Sequence, residues 1–181
     1  RITEQKRIKM DDVVVREFPL TIILNNQELV TLLCSPTKLQ YLAIGFLVSE
    51  GLITTKEEIQ HVLLDDQRGV VRVETEGATD ITGDLIFKRF ITSGCGRGTA
   101  FYSPVDVANQ TRIESKTTIS ASAILSLAKE FQKDSEVFRN TGGIHSASLC
   151  DGERILMFSE DIGRHNAIDK IFGECLWEDI P

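Results

Sequence analysis

Apolar and polar positions alternate early in the chain. The stretch DVVVREFPLTIILNNQELVTLLC (12–34) reads as two strands around a turn. Asn25-Asn26 tolerates the left-handed backbone that a tight hairpin needs. Pro19 cannot donate to a ladder, so it predicts a bend or an edge position for the first strand. The period then lengthens. In SPTKLQYLAIGFLVSEGLI, residues Leu39, Leu42, Ala43, Phe46 and Leu47 recur at helical spacing and give one apolar face. Ser35 suits an N-cap, Pro36 the first helical position and Gly51 the stop. A short helix or turn at 54–58 precedes IQHVLLDDQRGVVRVE, a second hairpin turning at Gln67-Arg68-Gly69.

DLIFKRFI (84–91) is a further strand, and 98–118 has no clear period. From Ser120 an amphipathic helix runs through Ile124, Leu125, Ala128 and Phe131 toward Phe138, ending before residues 141–143. GIHSASLC and RILMFSE form a hairpin around Asp151-Gly152. GRHNAIDKIFGECLWE is a final helix, with Ile168, Ile171, Phe172, Cys175 and Leu176 as its expected buried face. The division expected is a β-rich part over 1–98, a flexible connection over 99–119 and an α/β part over 120–181.

Composition narrows the classes. With 181 residues, 41% hydrophobic and 26% charged, the chain reads as a soluble globular protein with a real core. A net charge of −7 argues against a general nucleic-acid binder, but not against a small anionic ligand held by local Arg or Lys. No apolar run approaches the roughly 18 residues that span a bilayer, so no membrane partner is expected. The basic start lacks an apolar stretch behind it and does not read as a secretory signal. Cys34, Cys95, Cys150 and Cys175 are widely spaced, which suits a reducing cytoplasm better than a disulfide scaffold.

Two stretches carry candidate chemistry. In TSGCGRG, Cys95 sits between Gly94 and Gly96 with Arg97 behind it. The glycines leave the thiol little steric cover and permit close approach by another molecule. A nearby guanidinium and successive loop N–H groups stabilise a thiolate, whose ordinary pKa is about 8.5. An exposed, activated thiol on such a loop suits a group carrier. Metal binding is disfavoured, because Gly98 stands where a second cysteine would complete Cys-x-x-Cys.

The second stretch lies in the last third. TGGIH places Thr141, Gly142 and Gly143 before His145, and EDIGRHNAIDK supplies Asp161, Gly163, Arg164, His165, Asn166 and Lys170. The start of a helix presents N–H groups to an anion, and Arg164 adds a planar fork suited to phosphate. His165 and Asp169 stand four apart, on a face expected to be polar and opposite the buried one. Taken singly, each residue fits a capped helix with an exposed His–Asp pair. Taken together they read as an anionic-ligand pocket. His61 reads as structural or surface.

The segments REFPLTIILNN, LAIGFLVSEGLI, SGCG, TGGIHSASL and EDIGRHNAIDKIFGE, spread from about residue 16 to residue 174, together resemble the formate dehydrogenase accessory sulfurtransferase family, FdhD/NarQ. The resemblance implies a cytoplasmic α/β (α+β) protein. Its β-rich N-terminal part would be followed by a three-layer C-terminal part like the cytidine-deaminase fold, here incomplete. It implies that a cysteine desulfurase loads sulfane sulfur onto Cys95 as a persulfide. That sulfur would pass to the molybdenum bis-molybdopterin guanine dinucleotide cofactor for the formate dehydrogenase catalytic subunit. A homodimer, and guanine nucleotide parts held near the Gly-rich and GRHN segments, are implied as well; a guanine nucleotide would then serve as a mimic. No stably bound metal is expected. Gly98 in place of a second loop cysteine removes any local resolving thiol, so sulfur would leave from Cys95 directly. Family members usually continue well past Trp177, so exposed apolar surface is expected.

Three rivals are weighed. A nucleobase deaminase needs His-x-Glu and Pro-Cys-x-x-Cys, whereas His145 is followed by Ser146 and Ala147. A non-catalytic chaperone for the molybdenum cofactor fits the missing second cysteine. A thiol hydrolase pairing Cys95 with His145 or His165 has no local signature.

Overall fold

A computed structural model describes residues 6–7, 9, 11–76, 89–91 and 114–180. Two antiparallel hairpins build most of the main sheet. Strands β1 (Phe18–Leu24) and β2 (Gln27–Cys34) are joined at Asn25-Asn26, both with positive φ (46° and 67°), as the sequence predicts. The Asn25 side chain donates to Thr75 Oγ1 (2.8 Å) and accepts from the Thr75 amide (2.9 Å), tying this turn to the next hairpin. Strands β3 (Ile59–Asp65) and β4 (Val70–Thr75) turn through Gly69 at φ 66°. A 3₁₀ turn at Lys56–Glu58 leads into β3, in the expected place. Strand β5 (Arg89–Ile91) adds to β2 in parallel, giving the order β3-β4-β1-β2-β5. The first part of the predicted 84–91 strand lies outside the described residues.

Of the two outcomes expected for β1, a bend or an edge position, the edge needs correction, while its pairing with β2 does shift register between Ile22 and Ile23. β1 is interior, antiparallel to β2 and parallel to β4. Pro19 is tolerated because the β4 ladder begins only at Thr21, whose amide donates to Gly69 O at 2.7 Å. The Pro19 nitrogen faces the same way but lies ahead of that ladder.

Helix α1 (Leu39–Ser49) also starts later than predicted. Lys38 takes the left-handed conformation before it (φ 52°), and Ser35 is not its cap. The Ser35 backbone amide instead donates to Asp161 Oδ2 (2.9 Å), and its Oγ accepts from the Ile162 amide (3.1 Å). A tertiary partner has outcompeted the local cap. Leu39, Leu42, Ala43, Phe46 and Leu47 are buried as expected, but so are Ile44 and Gly45, so α1 is covered on more than one side. One side meets Leu20, Ile22, Leu24, Val30, Leu32, Val71 and Val73 of the sheet. Another meets the final helix.

The segment from Ser120 forms two helices. Ser120 caps α2 (Ala121–Asp134), its Oγ accepting from the Ala123 amide at 3.1 Å. The chain then breaks at buried Ser135, whose Oγ hydrogen-bonds Glu160, and α3 (Glu136–Thr141) follows. Strands β6 (His145–Cys150) and β7 (Ile155–Asp161) form an antiparallel hairpin, and α4 (Arg164–Trp177) follows at once. The predicted connection at 99–119 lies mostly outside the described residues. No helix among them is long and apolar enough to cross a membrane.

α4 packs against α1 at two glycines. A Cβ on Gly45 would stand 1.7 Å from Asp169 O, and one on Gly173 would stand 1.9 Å from Tyr41 O. Only bare backbone allows the two helices to approach so closely. This contact rotates α4 away from the expected orientation. Ile171 is buried, but Ile168 and Phe172 are about half exposed, while Asn166, Asp169 and Lys170 turn inward. The polar residues can be buried because each finds a partner.

Candidate functional site

The register of the β6–β7 hairpin brings the two predicted motifs together. His145 is the pairing partner of Asp161, and Ser146 of Glu160. The loop at 141–143 enters β6 at the end of the hairpin where the turn at 162–163 leaves β7. Two stretches twenty residues apart therefore become neighbours.

The 141–143 loop is held by its own threonine. Thr141 Oγ1 donates to Val137 O (2.7 Å) and accepts from the Gly143 amide (3.2 Å). Gly142 has φ 64° and a Cβ there would meet nothing within 4 Å, so a ligand could approach its backbone. Gly143 differs, because its Cβ would lie 3.3 Å from Val15 Cγ2. The segment before β1 comes within contact of it, although Gly143 itself is exposed. His145 is exposed.

At the other side, Asp161 and Lys170 form an ion pair at 2.7 Å, both side chains with 0% exposure. Asp161 also accepts from the amides of Ser35 (2.9 Å) and Gly163 (2.8 Å) and from Asn166 Nδ2 (2.8 Å). Lys170 Nζ further donates to Glu160 O (3.0 Å), Thr37 Oγ1 (3.3 Å) and Ser35 O (3.4 Å). Asn166 Nδ2 also donates to Leu33 O at 2.9 Å. A Cβ on Gly163 would lie 2.8 Å from Asn166 Nδ2, so the glycine makes room for that side chain. The network explains why two charges are buried without isolation.

These contacts correct several sequence expectations. Asp161, Asn166 and Lys170 are turned into the protein and hold the β7–α4 corner to the β2–α1 corner, so Lys170 is not placed to meet a phosphate. Asp169 is buried and accepts from Ser49 Oγ at 2.7 Å, so His165 and Asp169 do not form an exposed polar face. Arg164 is exposed and His165 half-buried in the first turn of α4, whose N-cap Gly163 has no side chain to cap it. Cys95, Arg97 and Gly98 lie outside the described residues.

The other cysteines are enclosed to different extents. Cys34 is fully buried and donates to Phe18 O at 3.4 Å. Its pKa is pushed up to about 12, chiefly by loss of solvent and then by the Asp161 charge, with Lys170 opposing. Cys175 stands 3.5 Å from Met157 Sδ, and its thiol is also pushed up by partial burial. Neither is set up as a thiolate.

Sequence reasoning missed an open cleft of 670 Å³ between α2, α3 and β6. Phe131, Phe138 and Ile144 give it apolar walls, and Arg139, His145 and Ser146 add polar groups. Phe131 packs edge-on against Phe158 of β7, with ring centres 5.4 Å apart. The only available signal was Arg139, two residues before Thr141 and preceded by Phe138. A smaller hollow of 230 Å³ is lined by Val15, Ser35, Thr37, Thr141, Ile144 and Glu160.

The fold, the paired motifs and the glycine-flanked cysteine define a class, and comparison with known proteins agrees. The FdhD/NarQ family profile matches residues 15–181, and the chain belongs to that family. Among its relatives, the sulfur carrier protein FdhD of Bacillus pumilus is 44% identical over 94% of this chain and 65% of its own length. The Bacillus subtilis protein of the same name is 45% identical over 93% of this chain and 64% of its own length. A crystal structure assigned to a formate dehydrogenase accessory protein from Desulfotalea psychrophila superposes with a TM-score of 0.76 at 25% identity. It covers 98% of this chain and 67% of the other. The chain therefore spans a little under two thirds of the length of these Bacillus relatives.

Proposed function

We propose that this chain acts as a sulfur carrier serving formate dehydrogenase. Cys95 takes sulfane sulfur from a cysteine desulfurase. Its thiolate attacks the terminal sulfur of the donor persulfide, the donor thiolate leaves, and Cys95 becomes the persulfide. The S–S bond then breaks with the Cys95 thiolate as leaving group, and the outer sulfur goes to the molybdenum of the bis-molybdopterin guanine dinucleotide substrate, whose metal supplies the two electrons; the product is destined for the formate dehydrogenase catalytic subunit. The protein acts in the cytoplasm as a homodimer, and a guanine nucleotide mimics part of the substrate.

The observation that carries the reading is the pairing of His145 with Asp161, which sets the 141–143 loop beside the start of α4. Exposed Arg164 and the uncapped first turn suit a phosphate, and Gly142 leaves space for close approach. Asp161, Asn166 and Lys170 support this site from beneath by fixing the β7–α4 corner. Relatives named as sulfur carriers support the thiol chemistry.

The test is intact-mass measurement after incubation with a cysteine desulfurase and cysteine. A gain of one sulfur atom that disappears in Cys95→Ala is expected. No gain, with guanine nucleotide binding retained, would replace this reading with that of a non-catalytic cofactor chaperone. Arg164→Ala is expected to weaken guanine nucleotide binding about tenfold, read by calorimetry.

A further inference from the structure

β3 is the outer strand of the main sheet, and among the described residues nothing pairs with its free edge. Such an edge presents a row of unpaired N–H and C=O groups, and proteins usually blunt it with Pro, Lys or a bulge. The run Ile59-Gln60-His61-Val62-Leu63-Leu64-Asp65 has no Pro or Lys, and its irregularity lies at its start, between Ile59 and His61. Leu63 is 59% exposed and Leu64 42%. Beside them lies a hollow of 260 Å³ lined by Leu63, Leu64, Asp65, Arg68, Val70 and Arg72. Among the described residues nothing covers Leu63 and Leu64 on this edge.

The order of side chains says which cover fits. Side chains alternate along a strand, so His61, Leu63 and Asp65 share one face and Val62 and Leu64 the other. In an antiparallel pairing of β3 with itself, centred on Leu63, each Leu63 faces the partner's Leu63. His61 then faces the partner's Asp65, and Val62 faces the partner's Leu64. Over 61–65 the opposed pairs are matched in character, apolar on apolar and imidazole on carboxylate, although His61 already lies 3.3 Å from Glu74 and Asp65 3.8 Å from Arg68 of its own chain. Centring on Val62 would set His61 against the partner's Leu63, and centring on Leu64 would set Leu63 against the partner's Asp65. Of these three, only the Leu63 register matches over 61–65.

We propose that β3 pairs with β3 of a second copy of this chain about a two-fold axis at Leu63, joining two five-stranded sheets into one. Such a contact is isologous and self-complementary, as a two-fold requires. It gives a surface to the dimer in the functional reading above. Its test reads association alone, so it can fail while sulfur carriage stands, and the reverse.

The experiment is sedimentation equilibrium of the whole protein and its variants over a concentration series. The parent is expected to self-associate. Leu63→Arg, which sets two guanidinium groups across the axis, is expected to weaken association about tenfold or more. His61→Glu, which faces the partner's Asp65, is expected to weaken it about threefold or more, and His61→Lys to tighten it. Leu63→Cys is expected to form an intermolecular disulfide on mild oxidation, because directly opposed Cα atoms in an antiparallel pair stand about 4.5–5.5 Å apart. Leu64→Cys lies two positions out of register with its own copy and is expected to cross-link far more slowly. A protein that stays monomeric overturns the proposal. So does a dimer indifferent to Leu63→Arg, or cross-linking at Leu64→Cys as fast as at Leu63→Cys.

Discussion

The sheet side of α1 and the hairpin side of α2 are both helix-on-strand packings, yet they are built very differently. There, Leu42 and Ile44 of α1 and Leu20, Ile22, Leu24 and Val71 of the sheet have no exposure at all. Against the β6–β7 hairpin, α2 buries Leu127, while Ile124 and Leu125 of the same helix and Phe138 of α3 are half exposed or more. The family motifs at 141–145 and 161–166 lie where these two regions meet. The contrast teaches that rigidity is supplied from one side. The α1–α4 contact and the buried Asp161–Lys170 pair anchor the site, while the cleft side is left open to whatever approaches it.

The sharpest way to break that contrast is to force the helices apart. Gly45→Val would drive a side chain into the backbone of α4, where a Cβ would stand 1.7 Å from Asp169 O. A loss above about 4 kcal/mol, or failure to fold, is expected in urea melts. Next comes Lys170→Met, which strands the fully buried Asp161 carboxylate. It is expected to cost about 3–5 kcal/mol, and adding Asp161→Asn should recover part of that. The two regions can then be set side by side. Leu42→Ala is expected to cost about 2–5 kcal/mol and Leu125→Ala about 0.5 kcal/mol or less, by the same melts. Equal costs would erase the distinction.

The smallest effect concerns pH. Cys34 keeps its proton when folded up to about pH 12, well above the ordinary thiol range of about 8.5–9. Between those limits the unfolded chain releases the proton and the folded one holds it, so this contribution to stability falls as pH rises. Below pH 9 both states hold it and the contribution is constant. The slope is at most about 1.4 kcal/mol per pH unit. Cys34→Ala is expected to flatten the alkaline decline by that amount in melts between pH 9 and 11.

Hairpins were the most legible part of the chain. Period-two runs and the turn residues Asn25, Asn26, Gly69 and Gly152 are local signals, and their positive φ values follow from them. The family motifs and their adjacency were legible for the same reason, because one hairpin sets the register. What the residues do within the site was less so. Asn166, Asp169 and Lys170 look like a solvent face, since their partners Leu33, Ser49 and Ser35 lie over a hundred residues earlier. Ser35 and Pro36 have good capping chemistry, but Asp161 claims Ser35 from across the fold. Gly45 and Gly173, each inside an apolar helical run, were the available hint that α1 and α4 touch through backbone.

The joint between Ser35 and Asp161 also has a bearing on synthesis. A nascent chain that has left the ribosome only as far as β7 already carries the whole apolar surface of α1, but the helix that shields one side of it is still inside the exit tunnel. The amino-terminal half must then wait, sticky and partly uncovered, until the last of the described helices emerges. The segment that completes its locking is thus encoded more than a hundred residues after the surface it covers.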